Sequence, residues 1–398
     1  MIPGTLPLAA FDQTPRTRLV FGCGVVARLG ELVRELGGTR VLLVTDGGIV
    51  AAGHVGRALE ALGRDGLEVF VYDAVRENPT TADVAACLEV ARTAAVDLIV
   101  GFGGGSSMDT AKGTNFILTN GGVMKDYWGV GRAKRPMLPL IAVPTTAGTG
   151  SECQSAALIA DDVTHQKMAC LDPKAAARIA LLDPELTVSM PAGVTAFSGI
   201  DAIAHAVETA VTTRRNAVSM MHSMAAFQLL VPALPRVLAN PADVDARGRM
   251  LLGAAFSGTA IELSMLGAAH SAANPLTAHF NIVHGAAVGL MLPHVIRCNA
   301  AGSDIARGAY AELARAAGLE SGVAPGATAA EIVAARIEQL LDLAGIPRSL
   351  EAAGVAADGI PALAEEAARQ WTAGFNPVPM DAPAFEKLYQ AARTERKR

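Results

Sequence analysis

At 398 residues the chain is long enough for two domains. Hydrophobic residues make up 51%, which excludes global disorder. The 33 Lys+Arg against 38 Asp+Glu leave a net charge of −5, which argues against a nucleic-acid binder working through a basic face. The first half alternates strand and helix signals. Arg18–Phe21 reads as a short strand. Val25, Leu29, Leu32, Val33 and Leu36 recur at helical spacing until Gly37-Gly38. Val41–Val44 is a continuous apolar run of the kind a buried parallel strand carries. A helix follows around Val55–Leu62, then a strand at Leu67–Tyr72. Val84, Cys87, Leu88 and Ala91 mark another helical face. Leu98–Phe102 is a strand that runs straight into glycine, and Met137–Val143 is a further strand. This β-α-β-α order predicts a parallel sheet with helices on its faces. From about Asp183 strand signals fade and helical patterns take over. Thr328-Ala-Ala-Glu331 predicts a capping box for a helix through Leu343, closed by Gly345 and Pro347. The organisation expected is an α/β nucleotide-binding domain over 1–185 followed by an all-α domain over 186–398.

Leu263–Ile296 contains no Asp, Glu, Lys or Arg, a length that would span a bilayer. It also holds His270, Asn274, Pro275, His279, Asn281, His284 and His294, so it reads as a buried polar site and no membrane association is expected. Met1–Ala10 lacks the basic start of a secretory signal. Cys23, Cys87, Cys153, Cys170 and Cys298 are odd in number and form no CxxC. They read as reduced, cytoplasmic thiols that mostly fill the core. The basic tail around Arg393 and Arg396–Arg398 reads as solvated.

Two stretches carry ligand chemistry in the first half. Gly101-Phe-Gly103-Gly104-Gly105-Ser106-Ser107-Met-Asp109 lies between a strand and a helix. Glycines there let a backbone approach a pyrophosphate at a helix N-terminus, although a tight structural turn would read the same. Pro144-Thr145-Thr146-Ala-Gly-Thr149-Gly-Ser-Glu152 again follows an apolar strand, and hydroxyls at two strand ends line one crevice in open α/β sheets. Val44-Thr-Asp46-Gly47 ends a third strand. Asp46 is suited to an adenosine ribose and repels a 2′-phosphate, which favours NAD over NADP. Its alternative is a plain helix cap.

In the second half, Asp201 and His205 stand at i and i+4 on one helix face, His270 and Asn274 repeat that spacing, and His284 follows 14 residues after His270. One Asp with three His is an N/O donor set for a first-row divalent metal with an open position, able to polarise a carbonyl or stabilise an alkoxide. His54, His165 and His222 lie outside this pattern and read as structural.

These motifs resemble the iron-containing (group III) alcohol dehydrogenase family, from about Phe21 to Asn376-Pro377…Tyr389. The carrying segments are Gly103–Asp109, Pro144–Glu152, Leu182-Asp-Pro-Glu-Leu-Thr187, Gly199–His205 and His284-Gly285 leading to Leu292-Pro293-His294. The resemblance implies a dehydroquinate-synthase-like dinucleotide domain, a helical metal domain and a cleft between them. It implies Asp201, His205, His270 and His284 as metal ligands, with Fe2+ as the metal and Zn2+ as the alternative. It implies Asp46, Asn78, Gly103, Gly104, Gly105, Ser106, Asp109, Thr145, Thr146, Thr149, Lys167 and Leu186 as dinucleotide contacts; unaided, Asn78 reads as an ordinary turn residue and Lys167 as an exposed β-hairpin lysine. Where the family commonly has a proton-relaying His near the nicotinamide, this chain has Asn274. An amide does not titrate near neutrality, so the proton leaves through water and ribose hydroxyls or through His279. The activity implied is hydride transfer between a small alcohol or aldehyde and NAD, by a cytoplasmic homodimer or larger homo-oligomer. Glycerol dehydrogenase and maleylacetate-reductase-like activities are the alternatives within the superfamily. A sugar-phosphate cyclase is disfavoured because no Lys occurs between Thr187 and Ile296.

Overall fold

The computed structural model describes residues 10–164, 166–320 and 326–395. It divides into two compact units, one spanning Thr14–Met190 and the other beginning at Pro191. The sequence reading puts the division at 185–186. The difference is the short 3-10 turn Pro184–Thr187, whose Leu186 packs into the core of the first unit.

Among the described residues nine strands lie in the first unit: β1 (Arg18–Phe21), β2 (Arg40–Val44), β3 (Glu68–Tyr72), β4 (Leu98–Gly103), β5 (Gly129–Val130), β6 (Leu140–Pro144), β7 (Ala156–Ala160), β8 (Lys167–Leu171) and β9 (Ile179–Leu182). Six of them form a sheet in the order β1-β9-β6-β4-β2-β3, and every pairing in it is parallel. Val41–Val44 and Leu98–Val100 are fully buried, which is why the central strands read as unbroken apolar runs. Helices α1 (Leu29–Glu35), α2 (Gly47–Ala51), α3 (His54–Arg64), α4 (Thr81–Thr93) and α5 (Gly105–Asn120) supply the crossovers. Their apolar faces join two clusters, one of Leu29, Leu32, Val55, Leu62 and Val100, the other of Cys87, Ala91, Met108 and Ala111. The helix read from Val25 is a 3-10 turn over Val25–Arg28 followed by α1, and it ends at Gly37 with a φ of 80°.

The strand expected from Met137 begins only at Leu140. The backbone of Leu138 is taken by the side chain of Asn115, which donates to its carbonyl (2.9 Å) and accepts from its N–H (3.1 Å). The second sheet runs β5-β8-β7, and Lys167 opens β8 as the exposed hairpin lysine of its plainer reading. In it β7 and β8 pair as an antiparallel hairpin.

The second unit contains nine α-helices among the described residues: α6 (Ala192–Thr209), α7 (Ala217–Ala239), α8 (Val244–Leu263), α9 (Ala268–Phe280), α10 (His284–Gly302), α11 (Asp304–Ala316), α12 (Ala329–Leu343), α13 (Ile360–Arg369) and α14 (Ala382–Ala392). The uncharged stretch Leu263–Ile296 is broken into α9 and α10, which turns it into two walls of a polar site. Among the described residues one helix, α7, is long and apolar enough to cross a membrane; it contains Pro232 and Pro235 and packs on α6 and α8. Thr328 caps α12 by accepting from the Glu331 N–H, while the Glu331 carboxylate accepts from Arg297. Cys87, Cys153 and Cys170 are buried, Cys298 is half-buried and Cys23 is exposed.

Candidate functional site

The C-terminal ends of β2, β4 and β6 are neighbours in the first unit. From β2 the chain moves outward to β3, and from β4 it moves the other way through β6 to β9, so the strand order reverses between β2 and β4. Ligands of open α/β sheets bind outside such a reversal. Asp46 and the 103–105 glycines stand there. Gly103 has a φ of 153°, and a Cβ on it would collide with Ser107 Oγ. A Cβ on Gly105 would lie 2.9 Å from Thr149 Cγ2, and one on Gly104 3.4 Å from Thr146 Cγ2. The two motifs separated in sequence therefore pack against each other. The α5 N-terminus has Gly104 as its N-cap and no side chain capping it, leaving backbone N–H donors and the positive dipole end for an anion. Crowded glycines and an uncapped helix start fit a pyrophosphate.

Asp46 does what the plainer reading expects: Oδ1 accepts from the Gly48 and Ile49 N–H groups and caps α2 (2.9 and 3.1 Å). Its Oδ2 faces Ser107 Oγ at 3.4 Å, so one oxygen is committed and the other points to the glycine loop. Asn78 is exposed in a left-handed conformation (φ 53°) before Pro79. Ser106 is half-buried in the first turn of α5, and its carbonyl accepts from Thr110 Oγ1. Thr145 is buried, its N–H donating to the Gly103 carbonyl at 2.9 Å. Asp109 accepts from Ser151 Oγ at 3.0 Å; burial raises its pKa against the pull of Lys112, Ser151 and Lys167. Lys167 is exposed at the start of β8. Leu186 lies in the 3-10 turn after β9. Its side chain is fully buried in the sheet core, so its part is packing and only its backbone is left to touch a ligand.

In the second unit Asp201 and His205 come from α6, His270 from α9 and His284 from the first residue of α10. Asp201 Oδ1 lies 3.4 Å from His205 Nε2, 3.4 Å from His270 Nε2 and 3.9 Å from His284 Nε2. The His205 and His270 rings stack with centroids 4.9 Å apart. The donor atoms of Asp201, His270 and His284 all lie within 4.8 Å of one another. Two ligands about 2.1 Å from a tetrahedral ion stand about 3.4 Å apart, so this spacing suits a shared cation better than a hydrogen bond. Asp201 Oδ1 and His270 Nε2 are buried and neither closes a well-formed hydrogen bond. Three imidazoles and a carboxylate with such atoms turned inward fit a divalent first-row metal. His284 is the member open to solvent, its side chain 40% exposed. Burial works to raise the Asp201 pKa, but the three imidazoles hold it well below the usual carboxylate range.

Glu208 was not singled out in the sequence and belongs to this site. It is 2% exposed, and its Oε2 lies 2.5 Å from His270 Nδ1. Burial works to lower the His270 pKa, yet Glu208 and Asp201 outweigh it and hold the ring up at about 9. The signal was present: Glu208 stands seven residues after Asp201, two turns along the same face.

Asn274 lies one turn beyond His270 on α9 and its Nδ2 donates to Gln370 Oε1 at 3.0 Å. The structure does not bring His279 to the cluster. Nine residues at about 100° each turn it to the opposite side of the helix from His270. Its half-exposed ring meets Glu366 at 2.6 Å instead. His54 is buried against Ser189 Oγ (2.7 Å) and His222 packs on Phe256; His165 lies outside the described residues.

Compared with known proteins, residues 15–184 match the family described as iron-containing alcohol dehydrogenase, and residues 195–393 match the Fe-containing alcohol dehydrogenase family, C-terminal. The chain is 32% identical over 358 residues to the NAD-dependent methanol dehydrogenase of Bacillus methanolicus, covering 90% of this chain and 93% of that protein. It is 32% identical over 377 residues to the lactaldehyde reductase of Escherichia coli (strain K12), covering 94% and 97%. Among solved structures, an alcohol dehydrogenase from Oenococcus oeni superposes with a TM-score of 0.91 at 31% identity, covering 96% of this chain and all of that one (100%).

Proposed function

The chain belongs to the iron-containing alcohol dehydrogenase family and is an NAD-dependent oxidoreductase acting on alcohols and aldehydes; from that premise we propose which of its residues do the work. Asp201, His205, His270 and His284 hold one divalent metal, Fe2+ by family, with Zn2+ the alternative the same donors accept. The observation that carries this is the convergence of three imidazole Nε2 atoms on Asp201 Oδ1. When bound, the ion supplies Lewis acidity toward the substrate oxygen and NAD supplies the hydride acceptor.

The chain's own residues do the rest. The N–H groups at the start of α5 and the glycines Gly103, Gly104 and Gly105 receive the pyrophosphate. Ser106, Thr146 and Thr149 offer hydroxyls along the same rim, with Thr145 buried behind them and its N–H holding the Gly103 carbonyl. Asn78 and the Leu186 backbone line its flanks, and Asp109 and Lys167 stand behind it. Asp46 Oδ2 accepts from a ribose hydroxyl and repels a 2′-phosphate, which makes NAD the preferred cofactor. Asn274, fixed by Gln370, orients an oxygen but neither gives nor takes a proton, so the alcohol proton leaves through water and ribose hydroxyls. The opposed direction of His279 supports this route over one through that ring. The apolar walls of the helical unit suit a small, uncharged alcohol or aldehyde, in keeping with the substrates named for the relatives. Reduced cysteines support a cytoplasmic enzyme, and the open edge strand β1, with Phe21 exposed, supports a homodimer or larger homo-oligomer.

The test is elemental analysis of the purified protein together with NAD-linked oxidation of a series of short alcohols after metal loading. The expected result is one ion per chain and turnover that His284→Ala abolishes. Full metal occupancy in His284→Ala overturns the ligand assignment.

A further inference from the structure

We infer that Glu208 is a positioning residue for the metal centre, holding His270 in the one tautomer that leaves its Nε2 lone pair turned toward Asp201, His205 and His284. The inference rests on the metal reading above. Glu208 lies on α6 and uses both carboxylate oxygens on α9: Oε2 accepts from His270 Nδ1 (2.5 Å) and Oε1 accepts from the Ala269 N–H (2.6 Å). A histidine binds metal through one nitrogen only when the proton sits on the other, and the partner of that other nitrogen decides. An anion with no hydrogen to give forces the proton onto Nδ1.

The same carboxylate fixes where the ring begins. The N-cap of α9 is Gly267, which brings no side chain of its own. The first N–H groups of the helix are satisfied from outside, Ala268 by Asn376 Oδ1 (3.3 Å) and Ala269 by Glu208. A Cβ on Gly267 would stand 3.0 Å from Asn376 Oδ1 and 3.2 Å from Glu208 Oε1, so the glycine is the clearance that admits both acceptors. Glu208 therefore ties the start of the helix and its ligand ring to the helix carrying Asp201 and His205. Asp201 and Glu208 together also supply the two buried negative charges that a divalent cation cancels, which a neutral side chain at 208 would not.

Glutamine has the same shape but one acceptor. With its oxygen toward His270, its NH2 opposes the Ala269 N–H. With its NH2 toward His270, the ring takes the tautomer whose Nε2 carries hydrogen and cannot bind metal. Aspartate keeps two acceptors on a shorter stem. Asn376→Ala is the control, since it removes the neighbouring cap of α9 without touching His270.

The experiment is titration of the metal-free full-length protein with Co2+, followed by visible absorption and chelator competition, beside thermal unfolding of each metal-free variant. Glu208→Gln is expected to bind Co2+ about 10–100-fold more weakly than the unmodified protein, the scale for a lost outer partner of a ligand histidine. Glu208→Asp is expected to recover part of that loss. Asn376→Ala is expected to unfold earlier yet bind Co2+ within threefold of the unmodified protein. Unchanged affinity in Glu208→Gln, or an equal loss in Asn376→Ala, overturns the positioning role and leaves the metal site standing. Unchanged affinity in His270→Ala overturns the metal reading and this inference with it. Should Glu208→Gln fail to fold, Glu208→Asp decides: weaker Co2+ binding than by the unmodified protein upholds the inference, and unchanged affinity overturns it.

Discussion

Replacing Gly285 by alanine presses on the proposed metal centre without removing one of its proposed ligands. Gly285 follows His284 at the start of α10, and a Cβ there would lie 2.7 Å from the Phe197 carbonyl carbon, closer still to its oxygen, and 3.3 Å from Asp201 Cβ. Both partners are on α6, and Phe197 and its carbonyl are backbone that cannot swing aside. Ordinary contact begins near 3.4 Å, so α6 and α10 must part by roughly 0.7 Å or more. The two helices carry Asp201, His205 and His284, whereas a metal site tolerates ligand distances only within about 0.2 Å. Overpacking costs ~1–3 kcal/mol in stability. The expected signature is a modest fall in the unfolding midpoint of the metal-free protein with a much larger fall in metal affinity, at least about 100-fold, the upper end for a disturbed ligand partner. Denaturant unfolding and Co2+ titration of the same preparation measure the two separately. Gly285→Ala binding Co2+ within threefold of the unmodified protein would show that the helices part elsewhere and refute the reasoning.

Asp46→Asn keeps the α2 cap while removing the charge, so the preference for NAD over NADP in kcat/KM should narrow with little loss of stability; equal use of both cofactors by the unmodified protein sinks the ribose assignment. Glu152 is buried, which pushes its pKa from the ordinary 4.5 up to about 7. The folded state therefore keeps a proton that the unfolded chain releases, and stability falls as pH rises from 4.5 to 7, by about 3 kcal/mol at ~1.4 kcal/mol per pH unit. Glu152→Gln should flatten that slope in urea unfolding at pH 5 and 8, and an unchanged slope assigns it to other groups. Asn274→His should stay active and acquire an inflection near ~6.5 in its pH–rate profile, whereas His279→Ala should leave the profile unaltered; a shifted profile for His279→Ala would restore the histidine relay.

What could be read from the sequence followed from burial. Val41–Val44 and Leu98–Phe102 are covered on both faces, so their apolar runs announced a parallel sheet, and the Asp201/His205 and His270/Asn274 pairs stood out against apolar helices. Of the small second sheet only the hairpin at Lys167 was legible, because β5 has two residues and Lys-Met-Ala-Cys-Leu in β8 carries no strong alternation. Glu208 resembled an ordinary helix glutamate, since its partners Ala269 and His270 lie more than sixty residues away. Leu186 came from a motif position, and only the packed core shows its side chain turned inward. The pairing of Gln370 with Asn274 joins residues 96 apart and left no local trace.

The four proposed ligand positions are drawn from three helices, so a bound ion would couple its own binding to the folding of the unit. No short segment of unfolded chain gathers Asp201, His270 and His284, so an ion held by them would bind the folded unit almost exclusively. At a hundred times its Kd such an ion adds about 2.7 kcal/mol to the folded state. Without the ion that increment would be lost, and the folded unit would open about a hundred times more often.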